Sequence, residues 1–169
     1  MKIFFRNATI IDEQKVMSVI EEGRAYLREQ GLDQWQNGYP DVQTIRADIE
    51  TGMSYIAEVD AQVVATTCLS FAGEPAYDAI DGKWLTEGEF LVVHRLATRQ
   101  TVRRKSVAKK LLHYAETVAQ SKKINSIKID THPENIPMRR LLEAMGYVRC
   151  GIVQFEGDRI AYEKILISL

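Results

Sequence analysis

Between Val92 and Leu112 the chain reads VVHRLATRQTVRRKSVAKKLL, and no other stretch constrains the fold as tightly. Its first part is apolar and β-branched, which suits a strand. A short basic loop follows, and then Val107, Leu111, Tyr114, Ala115, Val118 and Ala119 recur at helical spacing. A chain that passes from strand to loop to amphipathic helix needs a sheet for the helix to pack on. The loop also carries a local conflict. Arg103, Arg104 and Lys105 stand where a helix begins, although cations there oppose the helix dipole. An anion bound to the unpaired amides of the helix start would resolve that conflict, and a phosphate or pyrophosphate suits such a position. The plainer alternative is a solvated basic helix start.

The remaining periodicities extend this pattern. Lys2–Arg6 reads as a short strand. Thr9-Ile10-Ile11-Asp12 resembles a capping box with Asp in the usual place of Glu, and it opens a helix that runs to about Gln30, before Gly31. A shorter helix is expected from Val42 to Glu50, capped by Asp41 and stopped by Gly52. Ser54–Val59 and Gln62–Leu69 read as strands joined by a tight turn at Asp60-Ala61, and 71–87 reads as a loop. Strands follow at Phe90–Thr98 and Ser126–Asp130, on either side of the helix Ser106–Lys122. Pro137 fits the first turn of another helix, with Asn135 or Ile136 at its cap, and Tyr147–Phe155 and Arg159–Ile167 close the chain as a hairpin. The order β-α-α-β-β-β-α-β-α-β-β implies a mixed α/β (α+β) fold, with a mostly antiparallel central sheet of about seven strands and helices on both faces.

The 169 residues are the usual size of one domain, and 1–169 is read as a single unit without linker, repeat or low-complexity segment. A formal net charge of −1 gives no global attraction to nucleic acid or to an anionic membrane, so neither partner is expected. Only two cysteines are present, Cys68 and Cys150, too few and too far apart for a disulfide framework or a zinc site. No metal is expected, and a reducing cytoplasm fits best. The basic-then-apolar start is broken by Arg6, Asp12 and Glu13, which suits a first strand and helix better than a signal peptide.

The Val92–Leu112 stretch resembles the acetyl-CoA motif of the GNAT superfamily of N-acetyltransferases, whose pattern is Arg or Gln, two residues, Gly, one residue, then Gly or Ala. Arg103, Ser106 and Ala108 occupy its three positions, with Ser106 replacing the first Gly. A serine there can still approach a ligand closely if its φ is negative, and its hydroxyl offers a hydrogen bond. His94-Arg95-Leu96-Ala97-Thr98 is similar to the end of the family's fourth strand. Asn135-Ile136-Pro137-Met138, with Leu141, Leu142, Gly146 and Tyr147, is similar to its last helix and following strand.

The resemblance implies a GNAT-like acyl-CoA N-acyltransferase fold in which strands four and five splay apart, and acetyl-CoA as cosubstrate. It assigns the pantetheine arm to backbone groups of Leu96, Ala97 and Thr98. The pyrophosphate falls on the loop and helix start formed by Arg103, Arg104, Lys105, Ser106, Val107, Ala108 and Lys109. Asn135 and Met138 line the far side of the arm. Acetyl transfer to a primary amine of a small molecule or of a peptide or protein follows, by direct attack. A homodimer is a family-level expectation.

Direct attack needs a neutral amine and a fixed donor for the developing oxyanion, and the family-like donor is the backbone N–H near Leu96. Candidate bases are Glu89, His94 and His132, whereas Asp130, His132 and Glu134 also fit loop-capping roles and Arg95 a salt-bridging one. The family often places a proton-donating Tyr in its last helix, and the matching position here is Leu142. That departure, with Ser106, supports an alternative: a CoA-binding sensing or regulatory module without efficient catalysis. Trp35 and Tyr39, on the loop between the first two helices, are candidates for binding the acceptor or, alternatively, for pinning that loop to the core.

Overall fold

The computed structural model describes residues 1–167. Eight strands and five helices follow one another. They are β1 (Phe4–Asn7), α1 (Glu13–Glu29), α2 (Val42–Glu50), β2 (Ser54–Val59), β3 (Gln62–Ser70), α3 (Pro75–Asp78), β4 (Asp81–Gly82), β5 (Leu91–Thr98), α4 (Val107–Ser121), β6 (Ser126–Thr131), α5 (Ile136–Ala144), β7 (Val148–Gln154) and β8 (Asp158–Ile165). The chain divides into two compact units, one of 1–69 with 94–114 and one of 70–93 with 115–167.

The first unit holds β1, β2, β3 and the last five residues of β5, hydrogen-bonded in that order. β1/β2 and β2/β3 are antiparallel, with a bulge at Ala57/Glu58. Alternation along β2 sends neighbours to opposite faces. Ile56 joins Val16, Val19 and Ile20 of α1 and Ile45 and Ile49 of α2, whereas Ala57 joins Val107 and Leu111 of α4. Helices therefore cover both faces of this part of the sheet.

Local signals set the boundaries. The Asp12 carboxylate accepts the Thr9 backbone N–H at 2.9 Å, so the expected box forms, followed by one 3-10 turn over Ile10–Asp12. Hydrogen bonds from Arg6 hold the Asp12 carboxyl down at about 2. The Asp41 side chain caps α2 by accepting from the Thr44 N–H at 2.8 Å. Asp60 and Ala61 both adopt positive φ, +49° and +61°, the geometry of the tight hairpin turn that matches strand twist.

The second unit holds the first three residues of β5, then β6, β8, β7 and β4. β5 and β6 are parallel, registered at Leu91/Ile127 and Val92/Lys128; β6/β8, β8/β7 and β7/β4 are antiparallel. Its core gathers Tyr77, Val92, Val153 and Ala161, flanked by Ile80, Trp84, Phe90 and Phe155. Two elements interrupt the stretch read as a loop from the sequence. α3 starts at Pro75 behind a Glu74 cap, and β4 adds an eighth strand. β4 has only two residues and no alternation to betray it. Gly82 lies against the Cys150 carbonyl and Gly151 against that of Asp81, and a Cβ on either glycine would collide with backbone.

Candidate functional site

The first unit contains the loop singled out by sequence. β5 does not run straight into it. Arg95 sits in mid-strand with φ +51°, so β5 is kinked one residue before Leu96. Beyond the kink, Leu96 packs beside Val102, Val107 and Leu111, and Ala97 packs with the α1/α2 cluster on the opposite face. The Arg95 side chain explains why the kink is tolerated. Its Nε and Nη2 donate to the two carboxylate oxygens of Asp48 at 2.8 and 2.7 Å, and its Nη1 donates to the Tyr39 hydroxyl at 2.6 Å. Both charged side chains are largely buried. The salt-bridging reading of Arg95 is therefore the one observed. Cys68, buried near this pair, has its thiol pushed up to about 12, chiefly by burial, and is a neutral packing residue at physiological pH.

After β5 the chain is anchored to α1. Arg99 donates to the Val63 carbonyl at 2.7 Å and to Glu22 at 2.5 Å, and the Gln100 N–H donates to Glu22 at 2.9 Å. Arg103 donates to the Glu22 carbonyl at 3.1 Å and lays its guanidinium over the Tyr26 ring at 4.0 Å. Arg104, Lys105 and Ser106 are exposed. Arg104 and Ser106 adopt φ of +63° and +60°. Ser106 thus takes the left-handed conformation that glycine adopts freely. Left-handed residues in such a loop turn successive N–H groups toward a common side, the geometry of an anion-binding concavity. Val107 is buried and begins α4; Ala108 is half-buried and Lys109 exposed.

The sequence-derived base candidates differ in environment. His94 is half-buried, and its carbonyl accepts from the Thr67 hydroxyl at 2.9 Å. Burial, with the Arg95 charge second, lowers its imidazole to about 4, so it is neutral at pH 7 and a weak proton acceptor. Glu89 belongs to the second unit and is exposed in the segment before β5. His132 takes a capping role, its Nδ1 accepting the Glu134 N–H at 3.1 Å.

On the α1–α2 loop, Trp35 packs against the core cluster beside Gly23. Its carbonyl accepts from the buried Arg24, which also donates to the carbonyls of Tyr39 at 2.9 Å and Pro40 at 2.6 Å. Trp35 is thus a loop anchor. Tyr39 is 46% exposed as a residue, while its hydroxyl is held by Arg95.

In the second unit, Asn135 caps α5 by accepting the Met138 N–H at 3.3 Å, and Pro137 lies in the first turn. Leu142 is fully buried, so the position matching the family's tyrosine is a core position. The sequence did not single out Tyr77 as partner to Asp130. The buried Tyr77 hydroxyl donates to Asp130 Oδ2 at 2.7 Å. Burial first of all raises the Asp130 carboxyl to about 6, against the lowering effect of Tyr77 and Arg159. Only a charged residue at the end of an apolar strand signalled it.

A sheet kinked in mid-strand, followed by an exposed basic loop at a helix start, is the layout of an acyl-CoA transferase of the GNAT type. The acetyltransferase (GNAT) family model matches residues 20–147, and the chain belongs to that family. Among solved structures, a GNAT-family acetyltransferase from Streptococcus agalactiae is similar, at 32% identity with a TM-score of 0.91 over 98% of this chain and 96% of that one. A PaiA N-acetyltransferase from Thermoplasma acidophilum, in complex with coenzyme A, shares the fold at 18% identity with a TM-score of 0.73 over 98% and 99% of the two chains. The ribosomal-protein-S18-alanine N-acetyltransferase from Escherichia coli shares it at 10% identity with a TM-score of 0.70 over 99% and 97%. No curated protein matches. Among the described residues no helix is long and apolar enough to cross a membrane.

Proposed function

We propose that the protein transfers an acetyl group from acetyl-CoA to a primary amine of a small molecule, peptide or protein, by direct attack of the amine on the thioester. The carrying observation is the loop from Arg103 to Lys109. It has two left-handed residues and exposed basic side chains, and it opens α4 immediately after a kinked β5. Backbone amides of 104–109 other than that of Lys105, whose N–H donates to the Val102 carbonyl at 3.1 Å, would bind the pyrophosphate, with Arg104, Lys105 and Lys109 supplying charge-assisted contacts. Backbone groups of Leu96, Ala97 and Thr98 would take the pantetheine arm as an added strand. The Leu96 N–H is the proposed oxyanion donor. The family resemblance adds Asn135 and Met138 as cofactor contacts. The exposed Tyr39 ring is proposed to contact the acceptor. Two free thiols fit a reducing cytoplasm.

Calorimetric titration with acetyl-CoA tests the donor site. Affinity in the micromolar range is expected, about −8 kcal/mol, falling at least tenfold in Ser106→Glu, which sets a like charge against phosphate. No heat at millimolar acetyl-CoA in the folded protein would remove the reading. Binding without thiol release in the presence of amines would favour the sensing module, a reading to which the buried Leu142 lends some weight.

A further inference from the structure

The proposed reaction sets the Leu96 N–H against the thioester carbonyl, so the direction of that N–H decides how well the oxyanion is met. The direction is set one residue earlier. Rotation about φ of Arg95 turns the following peptide unit, which carries the Arg95 carbonyl and the Leu96 N–H, relative to the strand before it. At φ +51° Arg95 stands in a region that bulky residues seldom adopt. Such a conformation persists only where its surroundings over-determine it.

The groups that hold it all belong to the first unit. Before the kink, the Thr67 hydroxyl on β3 donates to the His94 carbonyl at 2.9 Å. After it, the Arg99 backbone N–H donates to the Val64 carbonyl at 2.8 Å and the Arg99 Nε to that of Val63 at 2.7 Å. At the kink itself the side chain is clamped. Nε and Nη2 of Arg95 each meet one oxygen of Asp48, a bidentate contact that fixes the plane of the guanidinium as well as its position. Asp48 is itself held on α2. Its carbonyl accepts the Met53 N–H at 2.8 Å, its side chain is 8% exposed, and Ile45 and Ile49 of the same helix pack into the core.

A buried ion pair adds little to stability beyond an apolar pair of the same size, so stability alone does not call for one here. What this pair adds is direction. An apolar side chain at position 48 would fill the space and leave the guanidinium without a fixed plane.

We propose that Asp48, acting through the Arg95 guanidinium, is a positioning residue that holds the Arg95–Leu96 peptide at the angle at which its N–H meets the thioester carbonyl; this rests on the acetyltransferase reading above. Asp48 touches no reacting atom and exchanges no proton with the reactants. The amine nitrogen bonds to the acetyl carbon, and the carbonyl oxygen takes up the electron pair and is met by the Leu96 N–H. The carbonyl then re-forms as the carbon–sulfur bond breaks, and the amine's proton ends on the CoA thiol.

The experiment reads the bound carbonyl directly. Acetyl-CoA labelled with carbon-13 at the carbonyl is bound to wild type, Asp48→Asn, Asp48→Glu and the double variant Asp48→Leu with Arg95→Met. The carbon-13 shift and the infrared carbonyl stretch are recorded, with calorimetry of CoA binding and urea unfolding alongside. Thiol release with 2-phenylethylamine and an alanine-initiated tripeptide gives kcat and KM. In wild type the bound carbonyl should move downfield and its stretch to lower frequency, as a hydrogen bond to the oxygen requires. Asp48→Asn should lose most of both changes and about 10²-fold in kcat, with CoA affinity and the acetyl-CoA KM little changed. Asp48→Glu should restore part of the loss. The double variant should regain stability without regaining the carbonyl shift or kcat, which a merely structural role would return together.

A folded Asp48→Asn protein with the wild-type carbonyl shift overturns the assignment, as does a double variant that regains the shift with its stability. Both results leave the acetyltransferase reading standing. A wild type that binds acetyl-CoA with no carbonyl shift removes the Leu96 donor and this role for Asp48, and leaves the CoA site. A wild type that binds no acetyl-CoA overturns the acetyltransferase reading itself.

Discussion

Asp48 on α2 accepts two hydrogen bonds from the guanidinium of Arg95, the residue at which β5 leaves extended geometry. The pair is buried, so its attraction is partly cancelled by the desolvation of both charges. Removing one partner is different, because the other charge is then left unpaired. Asp48→Ala is expected to cost about 3–5 kcal/mol in urea unfolding at pH 7. The double replacement Asp48→Leu with Arg95→Met should recover much of that loss. A single variant within about 1 kcal/mol of wild type would show that Arg95 finds water once Asp48 is gone.

Ser106 stands with φ +60° at the first glycine position of the family motif. A left-handed non-glycine residue costs roughly 1–2 kcal/mol, and glycine offsets about 0.5–1 kcal/mol of that gain through unfolded-chain entropy. Ser106→Gly is therefore expected to be neutral or to stabilise by up to about 1 kcal/mol, read as the unfolding midpoint, with acetyl-CoA affinity retained. A clear loss of stability would mean that the serine hydroxyl makes a compensating hydrogen bond in the loop.

The two cases divide what a sequence reveals from what it hides. Asp41 with Thr44, and the turn at Asp60-Ala61, are settled by neighbours in the chain, and both were legible there. The strand–loop–helix order around Arg103 was legible for the same reason. Asp48–Arg95 and Tyr77–Asp130 join residues 47 and 53 positions apart, and no local pattern announces either pairing. The left-handed conformation of Ser106 was not legible, because residue type sets only a preference for φ, which the loop's anchoring to α1 overrides. β4 was missed because a two-residue strand has no period to detect.

Arg24 reaches from α1 to the carbonyls of Trp35, Tyr39 and Pro40 and is 9% exposed. It fixes the loop that carries Tyr39. Arg24→Ala should lose about 1–3 kcal/mol, since hydrogen bonds from a charged donor are each worth more than neutral ones and water can replace part of them. The expected signature is faster limited proteolysis between Leu32 and Pro40, with acetyl-CoA affinity little changed. Proteolysis at the wild-type rate would show that Trp35 packing alone holds the loop.

Asp130 should cost stability at neutral pH. Its folded-state carboxyl at about 6 lies above the ordinary 3.8, so between those values the native state holds a proton that the unfolded chain releases. Stability from this group is therefore complete below about pH 4 and is lost as pH rises through about 6. The full shift corresponds to about 3 kcal/mol, an upper figure because a partly exposed carboxylate is eased by solvent. Asn lacks the charge but can still accept from Tyr77. Asp130→Asn is thus expected to be more stable than wild type at pH 8, by about 1–3 kcal/mol, and equal to it near pH 4. Urea unfolding of both proteins from pH 4 to 8 checks this. A difference that does not grow with pH would mean that the carboxyl is already well solvated.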